Sequence, residues 1–121
     1  MALSLPVYID ARVSITLTDG TSGVVAIAAV PTDKAVLLRD VLYANTTTPD
    51  GLLDLNFFGA ADGSRWLGNI YAEDMESDGD MGSMGYGARP AFEGIWYQAT
   101  GDGDSADEVI EVTLCLQLIE S

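Results

Sequence analysis

The run Gly94-Ile-Trp-Tyr-Gln-Ala-Thr100, the acidic turn Gly101-Asp-Gly-Asp-Ser-Ala-Asp107 and the run Glu108-Val-Ile-Glu-Val-Thr-Leu-Cys-Leu-Gln-Leu-Ile119 decide the fold. In the second run Ile110, Val112, Leu114, Leu116 and Leu118 fall on one side of a pleat, and Glu111, Thr113 and Gln117 on the other. This is the period-two pattern of a half-buried strand, whose successive side chains leave opposite faces of the sheet. Two such runs around one Gly/Asp turn predict an antiparallel pair at the centre of a sandwich. Trp96 and Tyr97 are neighbours on the first run, so one belongs to the core and the other to the outside or to a contact.

The same alternation extends toward the N-terminus. Val7, Ile9, Ala11, Val13, Ile15 and Leu17 interleave with Tyr8, Asp10, Arg12, Ser14, Thr16 and Thr18, a long strand with one wet face. Asp19-Gly20 and Ser22-Gly23 supply a turn. The apolar run 24–30 that follows is short, rich in β-branched residues and closed by Pro31, which predicts a strand buried on both sides or seated at a subunit contact. Residues 34–45 form a third strong strand, in which Arg39-Asp40 breaks the pattern and calls for a bulge or an interfacial ion pair. After the turn Thr46-Thr-Thr-Pro-Asp-Gly51, Leu53, Leu55 and Phe57 alternate with Asp54 and Asn56. A further turn leads to the shorter strand 65–71, with Trp66 as the largest apolar side chain of its half. Seven or eight strands with no sustained helical periodicity predict an all-β protein, one antiparallel, jelly-roll-like β-sandwich domain over residues 1–121.

Residues 72–90 carry no period and mix acids, glycines and methionines. A loop this long in a compact domain is usually functional. Met75, Met81, Met84 and Tyr86 would be costly to leave bare, so the loop is expected to lie on a neighbouring subunit.

Composition removes several classes of function. With 19 acidic residues against 5 basic ones, the net charge of −14 opposes binding to nucleic acid, which depends on Lys and Arg displacing counterions. Anionic membranes are disfavoured for the same reason, and no apolar run approaches the roughly 20 residues of a spanning helix. The start, Met1-Ala-Leu-Ser-Leu-Pro, lacks the basic and apolar segments of a secretion signal. The single Cys115 cannot form an internal disulfide and is expected to pack against a neighbouring layer or subunit.

There is no histidine, so triads of the Ser-His-Asp or Cys-His kind and ordinary zinc sites are ruled out. No phosphate-binding glycine motif is present, and no cofactor is expected. The ion candidate is calcium. Asp74, Glu76, Asp78 and Asp80, with Gly79 between the last two, overlap the first half of an EF-hand loop, but the place of its bidentate acid falls on Gly85. Asp102, Asp104, Asp107 and Glu108 form a second acidic group of equally incomplete spacing, and both groups read first as solvated acidic turns. Trp96 near acidic loops also suits stacking on a sugar ring, which supports a carbohydrate- or host-surface-binding module as the alternative function.

The stretch PAFEGIWYQATGDGDSADEVIEVTLCLQL, preceded by KAVLLRDVLYANTTTPDGLLDLNFFG, resembles the small β-sandwich virion proteins of tailed bacteriophages over about residues 35–119. The resemblance lies in a Gly-aromatic strand, a Gly/Asp turn and a closing strand of Val-x-Val type. It implies a non-enzymatic capsid decoration, or cement, protein, expected as a homotrimer on the outer capsid surface that bridges subunits of the major capsid protein. Three subunits each at −14 need compensating cations. Arg12, Arg39, Arg65 and Arg89 are therefore expected at contacts, together with Trp96 and the loop residues Met75, Met81, Met84 and Tyr86.

Overall fold

The computed structural model describes residues 6–45, 47, 49–80 and 89–120, with backbone alone at positions 78 and 80. Ten strands follow one another in these residues: β1 (Val7–Thr16), β2 (Gly20–Thr21), β3 (Val25–Ala29), β4 (Lys34–Asn45), β5 (Leu53–Phe58), β6 (Trp66–Ala72), β7 (Asp78–Asp80), β8 (Pro90–Ala91), β9 (Gly94–Gly101) and β10 (Val109–Glu120). Sheet A has the order β1-β10-β4-β7, with β8 also on β4, and sheet B the order β2-β9-β5-β6, with β3 also on β9. All the strand pairs are antiparallel.

The pairing is nested. The first strand lies beside the last, β2 and β3 lie beside β9, β4 is flanked by β10 and β7, and β5 is flanked by β9 and β6. A chain folded as one long hairpin and then rolled gives this order, and it defines a jelly-roll sandwich.

The alternation along β10 becomes burial. Ile110, Val112 and Leu114 are inaccessible, and Leu116 nearly so, while Glu111 is exposed. Across the interlayer space they meet a core that includes Leu53, Leu55 and Phe57 of β5 and Ile95, Tyr97 and Ala99 of β9. Removing each of the larger apolar side chains from water contributes about 1.5–3 kcal/mol, and this drives the two sheets together. Of the neighbours at 96 and 97, Tyr97 enters the core and Trp96 stays half-buried on the outer face. Desolvation pushes the Tyr97 hydroxyl above its ordinary value of 10.0.

The pattern break in the third strong strand is a bulge. Cys115 pairs with Asp40 and Leu116 with Leu38, so Arg39 is the extra residue of β4. It lets Leu38 and Val41, three positions apart, both face the core, with Arg39 exposed.

Four expectations need correction. The runs 94–100 and 108–119 do not pair with each other: β9 lies in sheet B and β10 in sheet A, so the acidic turn between them crosses from one sheet to the other. The 24–30 run is a strand, but not one buried on both sides: β3 pairs only with β9 among the described residues, and Val25 is 42% exposed. Its apolar character belongs to an open sheet edge. Trp66 is 50% exposed on the outer face of sheet B, because a register shift near Phe57/Phe58 gives the inward positions of β6 to Leu67 and Ile70. Lastly, the 72–90 segment is not loop throughout, since Asp78–Asp80 pair with Leu42–Ala44 of β4.

One corner is fixed by polar contacts. Asp102 Oδ1 accepts hydrogen bonds from the backbone N–H groups of Leu52 (3.3 Å), Asp104 (3.1 Å) and Ser105 (3.1 Å). The buried Ser105 hydroxyl accepts from Asp102 N–H at 2.7 Å. Gly51, at φ +75°, fits under this turn because it has no Cβ: one built there would stand 2.5 Å from Ser105 N.

Candidate functional site

The outside of the sandwich offers two candidate surfaces. The first is the side where both sheets end. β1 closes sheet A and β2 and β3 close sheet B, and β1 and β3 lie against each other there. Neither β1 nor β3 has a second strand partner among the described residues. Ala11, Val13, Ile27 and Val30 pack partly on the core at this side. Farther along β1, Val7 (52%), Tyr8 (52%) and Ile9 (39%) are consecutive exposed residues. Val7 and Ile9 have the same parity as Ile15 and pair with Leu118 and Leu116, so they continue the inward face of the strand beyond the part of the core that covers it. An open edge carries unpaired N–H and C=O groups, and apolar side chains beside them make it a template for another chain.

The second surface is the outer face of sheet B. Its register sets out three rows. Ala26, Trp96, Phe58 and Trp66 form one, Gln98, Asn56 and Asn69 the next, and Thr21, Thr100, Asp54 and Tyr71 the third. Trp66 Nε1–H donates to Asn56 Oδ1 at 2.9 Å, and Asn69 Nδ2 donates to Asp54 Oδ1 at 2.6 Å and to Asn56 Oδ1 at 3.1 Å. The Trp96 indole lies over Gly94, where a Cβ would come within 3.1 Å of the ring. Sequence reasoning named Trp96 alone. Its alignment with Phe58 and Trp66 depends on the pairing register, which alternation within single strands does not reveal.

The predicted contact cations are distributed differently from one another. Arg12, Arg39 and Arg89 are exposed and form no ion pair among the described residues, where the one ion pair joins Lys34 to Glu120. Arg65 is occupied within the chain: its Nε–H donates to the Pro90 carbonyl at 2.5 Å and its guanidinium lies 4.8 Å from the centre of the Phe92 ring. Met75 corrects the expectation of a contact residue. It is 4% exposed in the core, its N–H bound to the Gly51 carbonyl at 2.8 Å and its sulfur to Asn45 Nδ2 at 3.3 Å. Met81, Met84 and Tyr86 lie outside the described residues.

Of the calcium candidates, Asp74 and Glu76 alone have described side chains. Asp74 and Glu76 are exposed on the rim of an open cleft of about 310 Å3 between Tyr43 and Tyr71. Residues 78–80 run as an extended strand, and the side chains of Asp78 and Asp80 lie outside the described ones. No group of three potential ligands able to hold a metal occurs among the described residues. In the second acidic group, Asp102 caps its own turn, and Glu108 accepts from Asn45 Nδ2 at 2.9 Å and from the Thr47 hydroxyl. Cys115 stands half-buried on the outer face of sheet A between Asp10 and Asp40, and desolvation, then these two carboxylates, push its thiol above the ordinary 9.0.

Order of strands, and absence of helix among the described residues, place the chain in the class of jelly-roll β-sandwiches. No protein-family model matches it, and neither does any curated protein. Two solved structures are similar to it. One is a chain from the Bacillus endospore appendages described as a novel family of disulfide-linked pili, at TM-score 0.51 and 14% identity over 100% of this chain and 96% of that one. The other is from the cyanophage Pam1 capsid asymmetric unit, at TM-score 0.44 and 15% identity over 97% of this chain and 91% of that one. At 14% identity the likeness to the first concerns the fold alone.

Proposed function

We propose that this protein is a non-enzymatic structural subunit that works by adhesion, a capsid decoration protein that associates with copies of itself and with the major capsid protein on the outer surface of a virion. The observation that carries the reading is the open side of the sandwich. A strand of ten residues is unpaired along one edge among the described residues, and Val7, Tyr8 and Ile9 are exposed on it beside the equally open β3. Soluble sandwiches ordinarily blunt such edges with charge, proline or a covering segment. Association around a symmetry axis would cover this one, and a homotrimer is the form expected.

Light scattering on the purified chain tests the association step. The wild type should run as a trimer, and Ile9→Lys, which places a charge on the edge without entering the packed core, should give a folded monomer with an unchanged β-type circular dichroism spectrum. Addition to undecorated capsid shells of the cognate phage tests the partner, with sedimentation of the chain with the shells expected. A wild-type chain that stays monomeric at every concentration and never sediments with shells would contradict the reading.

A further inference from the structure

We propose that the outer face of sheet B is a binding platform for a neutral oligosaccharide, laid across the Trp96–Phe58–Trp66 row with its hydroxyl groups on the amide row beside it. The inference is independent of the assembly reading, which uses the opposite features of the molecule, its open strand edges.

Three observations select this ligand chemistry. First, the aromatic row is broad and set in place. Trp96 and Trp66 stand two strands apart, roughly 10 Å at ordinary inter-strand spacing, with Phe58 between them. The Trp66 indole is pinned by its hydrogen bond to Asn56, and that of Trp96 lies over Gly94. Ligand binding therefore need not order either ring, which removes part of the usual entropic cost.

Second, the polar row is ordered yet has bonding capacity left. Asn56, Asn69 and Asp54 hold one another through Asn56 Nδ2 to Asp54 Oδ1 (3.2 Å) and the two Asn69 bonds. Gln98 Nε2 is tied to the Ser22 carbonyl at 3.1 Å. The side-chain carbonyls of Gln98 and Asn69 and the second oxygen of Asp54 accept nothing from the described residues. Acceptors in a row beside an apolar strip match a molecule that has one C–H face and a rim of hydroxyl donors.

Third, charge selects against other occupants. The three rows contain one carboxylate, Asp54, and no cation, on a chain of net charge −14. An anionic ligand would be repelled, whereas the donor hydroxyls of a neutral sugar complement the acceptor-rich row. A purely apolar protein surface would leave those acceptors desolvated and unpaired.

The experiment uses the intact chain and its tryptophan fluorescence, titrated with cellohexaose, maltohexaose and chitohexaose, with polygalacturonate as the anionic comparison. The expected result is a saturable spectral change with at least one neutral hexasaccharide and none with polygalacturonate. Trp66→Ala, at a half-exposed position, should weaken binding by at least about tenfold, as loss of a central aromatic anchor does, while Trp66→Phe should retain part of it. Ile9→Lys should bind the sugar as the wild type does, whether or not it associates, so failure of either proposal is seen separately. No saturable change with any neutral hexasaccharide overturns the inference. So does equal binding of polygalacturonate, undiminished binding by Trp66→Ala, or a spectral change that tracks protein concentration without sugar, which would assign the face to a second copy of the chain.

Discussion

Gly51 shows how much a single position can determine in this protein. Its φ of +75° and the close approach of Ser105 N and Asp102 Oδ1 leave no room for a Cβ. Gly51→Ala should therefore cost at least about 2 kcal/mol, combining left-handed backbone strain with displacement of the 102–105 turn. Gly103, around which a Cβ would meet nothing, should accept alanine within about 0.5 kcal/mol. Urea midpoints of the two variants, at unchanged slope, check the contrast. The same turn gives a dependence on pH. Hydrogen bonds, that from Leu52 N–H first, hold the Asp102 carboxyl below its ordinary 3.8, and the Ser64 hydroxyl and N–H do the same for Asp62. A depressed carboxylate stabilises the fold fully above its unfolded value and loses that contribution as pH falls through the folded one. Thermal midpoints of wild type and Asp102→Asn should hence converge below about pH 3.8 and separate above it. Cys115 behaves in the opposite sense: a raised thiol pKa predicts slow alkylation by iodoacetamide at neutral pH, and reaction as fast as that of free cysteine would contradict it.

Among the elements, β4 makes the clearest prediction. Because Arg39 is the residue in excess, its deletion would bring Leu38 and Asp40 into unbroken register with Leu116 and Cys115. That variant should fold cooperatively. Deleting Val41 instead would shift every later residue of β4 to the wrong face, taking Tyr43 out of the core, and a one-residue slip of this kind should abolish the cooperative transition. Circular dichroism through a urea titration separates the two outcomes. β4 was also the element most legible beforehand: its span, 34–45, and the irregularity at Arg39-Asp40 were both readable from the pattern. β7 was not. Asp78-Gly79-Asp80 has no strand propensity of its own, and its place beside Leu42–Ala44 comes from the fit of Gly79 against the Tyr43 ring, where a Cβ would lie 2.6 Å from the aromatic carbon.

For the molecule as a whole, the proposed association should be governed by charge. Copies each at −14 repel, and the exposed Arg12, Arg39 and Arg89 form no ion pair among the described residues. Raising salt from about 0.01 M to 0.15 M shortens the screening length from roughly 30 to 8 Å, so self-association should strengthen. Reversing Arg39 and Arg89 to Glu should weaken it at low salt, as measured by sedimentation velocity; oligomers that ignore both changes would show that these cations stand away from the contact.

Alternation by itself determined that this chain is β throughout, which face of β10 is apolar and where the seven longer strands lie, because a pleat has a period of two and burial follows it. Tertiary structure alone decided which apolar residues remain outside. Ile9 and Val25 look like core residues within their own strands and become an open edge only because the layers end there. Trp66 comes into line with Phe58 and Trp96 through a register shift between strands. Contacts between distant segments have no period along the chain, so surfaces built from them are set only when the sheets are assembled.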